Sequence, residues 1–132
     1  MIRTLIADDD FTSRLMLQES VKSYGAVHIA ANGREAVDAV RMAIEASQPY
    51  DLICLDIVMP EMDGQQALRE IRALEQAKGV SRSGRATIIM VSSLADEANI
   101  TTARDHDCDH FLVKPLDRTR LRDALRRSNL IA

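Results

Sequence analysis

The chain has 132 residues, 46% hydrophobic and 28% charged, with 17 basic and 20 acidic side chains and a formal net charge of −3. That length holds one closed core, and the composition excludes a disordered or collagen-like chain. The slight acidity provides no overall positive field for a polyanion. Two Tyr, two Phe and no Trp leave little surface to stack flavins or bases, so direct nucleic-acid binding is not expected.

In chain order, residues 2–7 read as a first strand that stops at Asp8, Asp9 and Asp10, too soon for a signal peptide. Later apolar runs also fall short of the roughly 18 residues of a membrane span, so a cytoplasmic protein without membrane contact is expected. Leu17, Val21 and Tyr24 follow at helical spacing, and residues 27–30 form a second strand. Asn32-Gly33 opens a helix with a Val37/Val40/Ile44 stripe, residues 52–55 are a third strand, and Ala67, Leu68, Ile71 and Leu74 mark the next helix. The basic segment 78–85 is a solvated loop before a fourth strand at 87–91. A weakly amphipathic helix over 95–106, a fifth strand at 111–113 and a helix from Asp117 to about Ser128, with a Leu121/Ala124/Leu125 stripe, complete the pattern. Cys54 and Cys108 lack CxxC spacing and read as reduced, packed thiols; His28, His106 and His110 lack ligand spacing and read as surface residues.

Alternating strands and helices imply an α/β fold in which helices cover both faces of a parallel sheet, a (βα)5 three-layer sandwich. Ligands of such sheets bind beyond the carboxyl ends of the strands. Just past those ends stand Asp8, Asp9 and Asp10, then Asp56, then Ser92 and Ser93, then Lys114-Pro115. Each has an ordinary reading alone, as a helix cap, a turn or a solvated lysine. Together, carboxylates converging on one cleft repel one another and suit a hard divalent cation, with Mg²⁺ the natural candidate and Lys114 a point charge for a phosphoryl group.

The motifs Leu5-Ile6-Ala7-Asp8-Asp9-Asp10, Ala31-Asn32-Gly33-Arg34-Glu35-Ala36, Asp56-Ile57-Val58-Met59-Pro60-Glu61-Met62-Asp63-Gly64, Ile89-Met90-Val91-Ser92-Ser93 and Phe111-Leu112-Val113-Lys114-Pro115 resemble the receiver domain of two-component response regulators. The resemblance implies a flavodoxin-like fold with strand order 2-1-3-4-5 and one receiver domain over 1–132, its core about 4–127, with no output domain. It implies that Asp56 accepts a phosphoryl group from a phosphohistidine on a sensor histidine kinase or histidine phosphotransfer protein. Asp9, Asp56 and the Val58 carbonyl would ligate Mg²⁺, with Asp8 acting through a bound water. Ser92 and Lys114 would bind the phosphoryl oxygens, Phe111 would hold the aromatic-switch position, and Lys114-Pro115 would be a cis peptide.

The function implied is a phosphorylation-switched signalling module rather than an enzyme, addressing a downstream protein through the face of the fourth helix, fifth strand and fifth helix. The alternatives are a phosphorelay intermediate, a haloacid-dehalogenase-type phosphohydrolase, for which Asp8-x-Asp10 fits only formally, and a phosphorylation-dead scaffold. Arg118, Arg120, Arg122, Arg126 and Arg127 of the fifth helix read as a solvated face, with an acidic partner or a homodimer mate as the sharper option. Val58 and Leu94 stand where related receivers often carry polar groups that orient water, so slow self-dephosphorylation is expected.

Overall fold

Short apolar runs and amphipathic helices alternate through the computed structural model, which describes residues 1–132. The elements are β1 (Thr4–Ala7), α1 (Phe11–Val21), β2 (Val27–Ala30), α2 (Gly33–Glu45), β3 (Leu52–Leu55), α3 (Gly64–Ala77), β4 (Thr87–Ser92), α4 (Glu97–Asp105), β5 (His110–Val113) and α5 (Arg118–Arg127). All strands pair in parallel in the order β2-β1-β3-β4-β5, as the flavodoxin-like expectation requires. β1 and β3 are buried along their whole length because both faces are covered, which is why they read as continuous apolar runs.

The pleat divides the core in two. Leu5, Ala7, Ile53, Leu55, Ile88 and Met90 meet Val37 and Val40 of α2, Leu68 and Ile71 of α3, and Ala103 of α4. Ile6, Leu52, Cys54, Ile89 and Val91 meet Leu17 and Val21 of α1 and Leu121, Ala124 and Leu125 of α5. Local chemistry fixes the helix starts. Asn32 Oδ1 accepts the Glu35 N–H at 2.9 Å, Asp63 Oδ1 accepts the Gln66 N–H at 2.8 Å, and Asp117 Oδ1 accepts the Thr119 N–H at 2.8 Å.

Three details depart from the sequence reading. Tyr24 lies in a separate 3-10 turn, Lys22–Tyr24, because the chain bends at Gly25, where φ is 150° and a Cβ would stand 1.9 Å from the Ile2 carbonyl oxygen. β1 starts at Thr4, since the Ile2 N–H donates to the Tyr24 carbonyl at 2.8 Å instead of to a strand neighbour. His110 is half-buried rather than solvated, with Nε2 2.9 Å from Ser128 Oγ, and burial holds its pKa below the usual histidine value.

Two smaller departures accompany these: His106 is also half-buried, with Nδ1 2.8 Å from the Thr102 carbonyl oxygen, and Arg82–Gly84 of the expected loop form a 3-10 turn. The readings of the cysteines and of the α5 arginines hold. Both cysteines are free; burial pushes the Cys54 thiol up to about 12 and also raises that of Cys108, so both are poor nucleophiles. The five arginines of α5 are exposed. No helix is long and apolar enough to cross a membrane.

Candidate functional site

Strand register assembles the site. Ala7, Leu55 and Met90 stand abreast, so Asp8 and Asp56 leave the two central strands side by side, with the Asp56 N–H donating to the Ala7 carbonyl at 2.9 Å. β4 runs on to Ser92, paired with Val113, and the Lys114 N–H donates to the Ser92 carbonyl at 3.0 Å. Residues far apart in the chain thereby meet at one end of the sheet. Asp8, Asp56 and Ser92 are buried, Lys114 is half-buried, and Asp9 is exposed.

Carboxylate oxygens of Asp8, Asp9 and Asp56 lie within 4.8 Å of one another. Lys114 Nζ stands 2.9 Å from Asp56 Oδ2, 3.0 Å from Asp8 Oδ2, 3.3 Å from Asp8 Oδ1 and 4.0 Å from Asp10 Oδ2. Burial raises the Asp8 pKa, and the Asp10 N–H and Lys114 offset that only in part. Burial also works against the Lys114 ammonium, but hydrogen bonds and charge from Asp56 and Asp8 outweigh it and hold its pKa above the ordinary lysine value. One ammonium therefore faces three carboxylates. The Asp8 Oδ2 atom is buried without a hydrogen-bond partner, its 3.0 Å approach to Lys114 being a charge contact without hydrogen-bond geometry.

The topology that carries these residues has known counterparts. Residues 4–126 match the response regulator receiver domain family. The chain belongs to that family. It is 36% identical over 124 residues to the two-component response regulator ORR41 of rice (Oryza sativa subsp. japonica), covering 92% of this chain and 89% of that protein. It is 31% identical over 134 residues to probable histidine kinase 2 of rice (Oryza sativa subsp. indica), covering 94% of this chain; the chain spans only 12% of that relative's length. Among solved structures, the CheX-CheY-BeF3-Mg complex from Borrelia burgdorferi superposes with a TM-score of 0.82 at 28% identity, over 99% of this chain and 90% of the other.

In this receiver the loop after β3 is clamped at both ends. Asp56 Oδ1 accepts the Ile57 N–H at 2.7 Å and the Ile57 carbonyl accepts the Gly64 N–H at 2.8 Å. A Cβ on Gly64 would stand 1.9 Å from the Asp56 carbonyl oxygen, so glycine is what lets α3 seat against the backbone of residue 56. Gly33 performs the same service for α2, where a Cβ would meet the Met62 carbonyl oxygen at 2.3 Å. The close approaches at Gly33 and Gly64 escaped the sequence reading; a glycine directly after a helix-capping Asn32 or Asp63 was the available signal.

Val58 is 57% exposed and Leu94 41%, both beside the site in sequence. Ser92 Oγ accepts the Leu94 N–H at 3.2 Å. The Lys114-Pro115 bond is cis. Phe111 stands apart from the charge cluster, half-buried on β5 against the core shared by α2, α3 and α4. The largest cavity, about 420 Å³, contains none of the five polar site residues; it lies at the opposite end of the sheet, beside Arg72, Arg82 and Arg85. The carboxyl-end residues are thus an electrostatic site rather than a deep pocket for an apolar ligand.

Proposed function

We propose that this receiver is a Mg²⁺-dependent phosphoacceptor switch with Asp56 as the acceptor. The observation that carries this reading is the Lys114 ammonium 2.9 Å from Asp56 Oδ2 beside two further carboxylates within 4.8 Å. The donor set fits a hard divalent cation: all-oxygen, in excess of the one ammonium, and including the unpartnered Asp8 Oδ2. Asp9, Asp56 and the Val58 carbonyl would hold Mg²⁺, with Asp8 holding a bound water; that carbonyl accepts no main-chain hydrogen bond. Bound there, the ion supplies charge neutralisation for phosphoryl oxygens.

The chain's own residues do the remainder. An Asp56 carboxylate oxygen attacks phosphorus in line with the P–N bond of a phosphohistidine on a sensor kinase or histidine phosphotransfer protein. The O–P bond forms as P–N breaks, and the leaving imidazole keeps the electron pair and takes up a proton from solvent. Lys114 exchanges a carboxylate contact for a phosphoryl oxygen. Ser92 Oγ uses a lone pair on Leu94, which leaves its proton to donate to another phosphoryl oxygen. The added charge biases the loop after β4, Phe111 and the α4-β5-α5 face toward a separate protein partner, and the exposed arginines of α5 suit an acidic one. A place within a phosphorelay is favoured by the match to a histidine kinase of which this chain spans a small part.

Intact-mass measurement after incubation with Mg²⁺ and acetyl phosphate tests this reading. Wild type gains one labile phosphoryl group and Asp56→Asn gains none; an equal gain by the variant contradicts it.

A further inference from the structure

We propose that Gln65 is a positioning residue: it latches α4 to α3, thereby fixes the connection that carries Ser92 and Leu94, and so governs how long a phosphoryl group stays on Asp56. The last clause rests on the acceptor reading above; the latch itself does not.

Gln65 follows Gly64, whose seat against the Asp56 carbonyl leaves no space for a Cβ, so the acceptor's own backbone sets where α3 begins. From there Gln65 Nε2 donates to the Asn99 main-chain carbonyl at 2.9 Å and lies 3.5 Å from Asn99 Oδ1. Asn99 Nδ2 in turn donates to Asp96 Oδ1 at 2.6 Å. Asp96 occupies the N-cap position of α4, yet its side chain caps no backbone N–H. A polar chain therefore runs from the acceptor loop, through the first turn of α3, to the start of α4.

α4 depends on such a tether because apolar packing holds it weakly. It buries only Ala103, whereas α3 buries Gly64, Ala67, Leu68, Ile71 and Glu75. Only four residues, Ser93 to Asp96, separate the end of β4 from α4, so a displacement of α4 is felt at Ser92 and at the Leu94 N–H it holds. The latch is also incompletely satisfied. Gln65 Oε1 is buried with no partner, and that desolvation offsets part of what the donated hydrogen bond contributes. α4 is thus held in register and remains able to move.

Hydrogen exchange on the full chain, without a phosphodonor, reads the latch directly. In Gln65→Met, which keeps length and apolar volume but loses the donor, amides of α4 are expected to exchange about threefold to tenfold faster while those of β1 and β3 are unchanged. Asn99→Ala keeps the main-chain acceptor and stays closer to wild type. Gln65→Lys restores a donor and restores slow exchange, which separates loss of the hydrogen bond from damage to the fold. After removal of acetyl phosphate, the phosphoryl group on Gln65→Met decays about threefold faster, and on Gln65→Lys at the wild-type rate.

Unchanged α4 exchange in Gln65→Met overturns the latch. Faster exchange with an unchanged phosphoryl lifetime overturns the positioning role. If wild type takes up no phosphoryl group, the acceptor reading fails and with it the positioning role, while α4 exchange still decides the latch.

Discussion

At the amino end of the sheet Arg72, nearly buried, donates to the Asp107 carbonyl at 3.0 Å, to Glu75 Oε1 and the Ala86 carbonyl at 2.8 Å, and to Asp109 Oδ2 at 2.9 Å. Glu75 Oε2 accepts the Ala86 N–H and Asp109 Oδ2 the Ile88 N–H, both at 2.8 Å, and Arg85 adds a looser contact to Asp109 at 3.5 Å. At the carboxyl end one lysine faces Asp8, Asp56 and, at 4.0 Å, Asp10, Asp9 joins Asp8 and Asp56 in the carboxylate cluster, and a buried carboxylate oxygen has no hydrogen-bond partner. The same physics of desolvated charge governs both ends. In the first, the chain satisfies its own charges, so the cluster fastens α3 to β4 and β5; in the second it does not, and the deficit is what a cation and a phosphoryl group would fill.

Breaking the satisfied end has the largest effect. Arg72→Met leaves Glu75 without its cation and Asp109 with only the looser Arg85 contact, and is expected to lower stability by about 3–5 kcal/mol in urea denaturation. Molecules that remain folded still take up a phosphoryl group at Asp56; loss of uptake in the folded fraction would erase the division of labour between the two ends. Mg²⁺ probes the open end. At about 100 times its Kd it raises wild-type stability by about 2.7 kcal/mol, while Asp9→Asn loses most of that gain and Arg72→Met retains it. Equal stabilisation of wild type and Asp9→Asn would mean that the ion binds elsewhere.

The rim of the open end gives a smaller effect. Polar groups in the double variant Val58→Asn, Leu94→Glu orient water where the native side chains are apolar, so phosphoryl loss quickens about tenfold; an unchanged or slower rate removes those two positions from the control of lifetime. The smallest effect lies at the margin of the amino end, at His110, the residue after Asp109. Burial lowers its pKa, so the folded state binds fewer protons than the unfolded chain as the pH drops below 6.5. Wild-type stability therefore falls with pH through that window, and His110→Asn falls less steeply. Parallel curves for the two proteins would show that the His110–Ser128 contact is not pH-sensitive.

Fold class was legible because local pattern carries it, and strand order followed from the family resemblance. β1, β3 and β4 are apolar runs, their helices have one apolar stripe each, Asp8, Asp56 and Lys114 immediately follow strands, and Ser92 ends one. What escaped was long-range and polar. Nothing around Arg72 in the sequence announces its contacts with Ala86, Asp107 and Asp109, which are set by how α3 returns along the sheet. The Gln65–Asn99 contact joins residues 34 apart on two helices, and its amides look like ordinary surface groups in a linear reading. Asp10 shows the limit of local rules: it stands at the N-cap of α1, yet its side chain accepts the Ser13 hydroxyl at 2.7 Å instead of a backbone N–H. His110 misled because burial at an edge strand depends on where α5 ends.

Borohydride trapping tests the central claim most directly. Wild-type protein is treated with Mg²⁺ and acetyl phosphate, reduced, and mapped by peptide mass spectrometry, since reduction of an aspartyl phosphate leaves homoserine at the modified position. Homoserine at position 56 alone, dependent on Mg²⁺, is the expected result. Homoserine at position 8, 9 or 10 instead, or none at all under conditions in which acetyl phosphate survives, would contradict Asp56 as the acceptor.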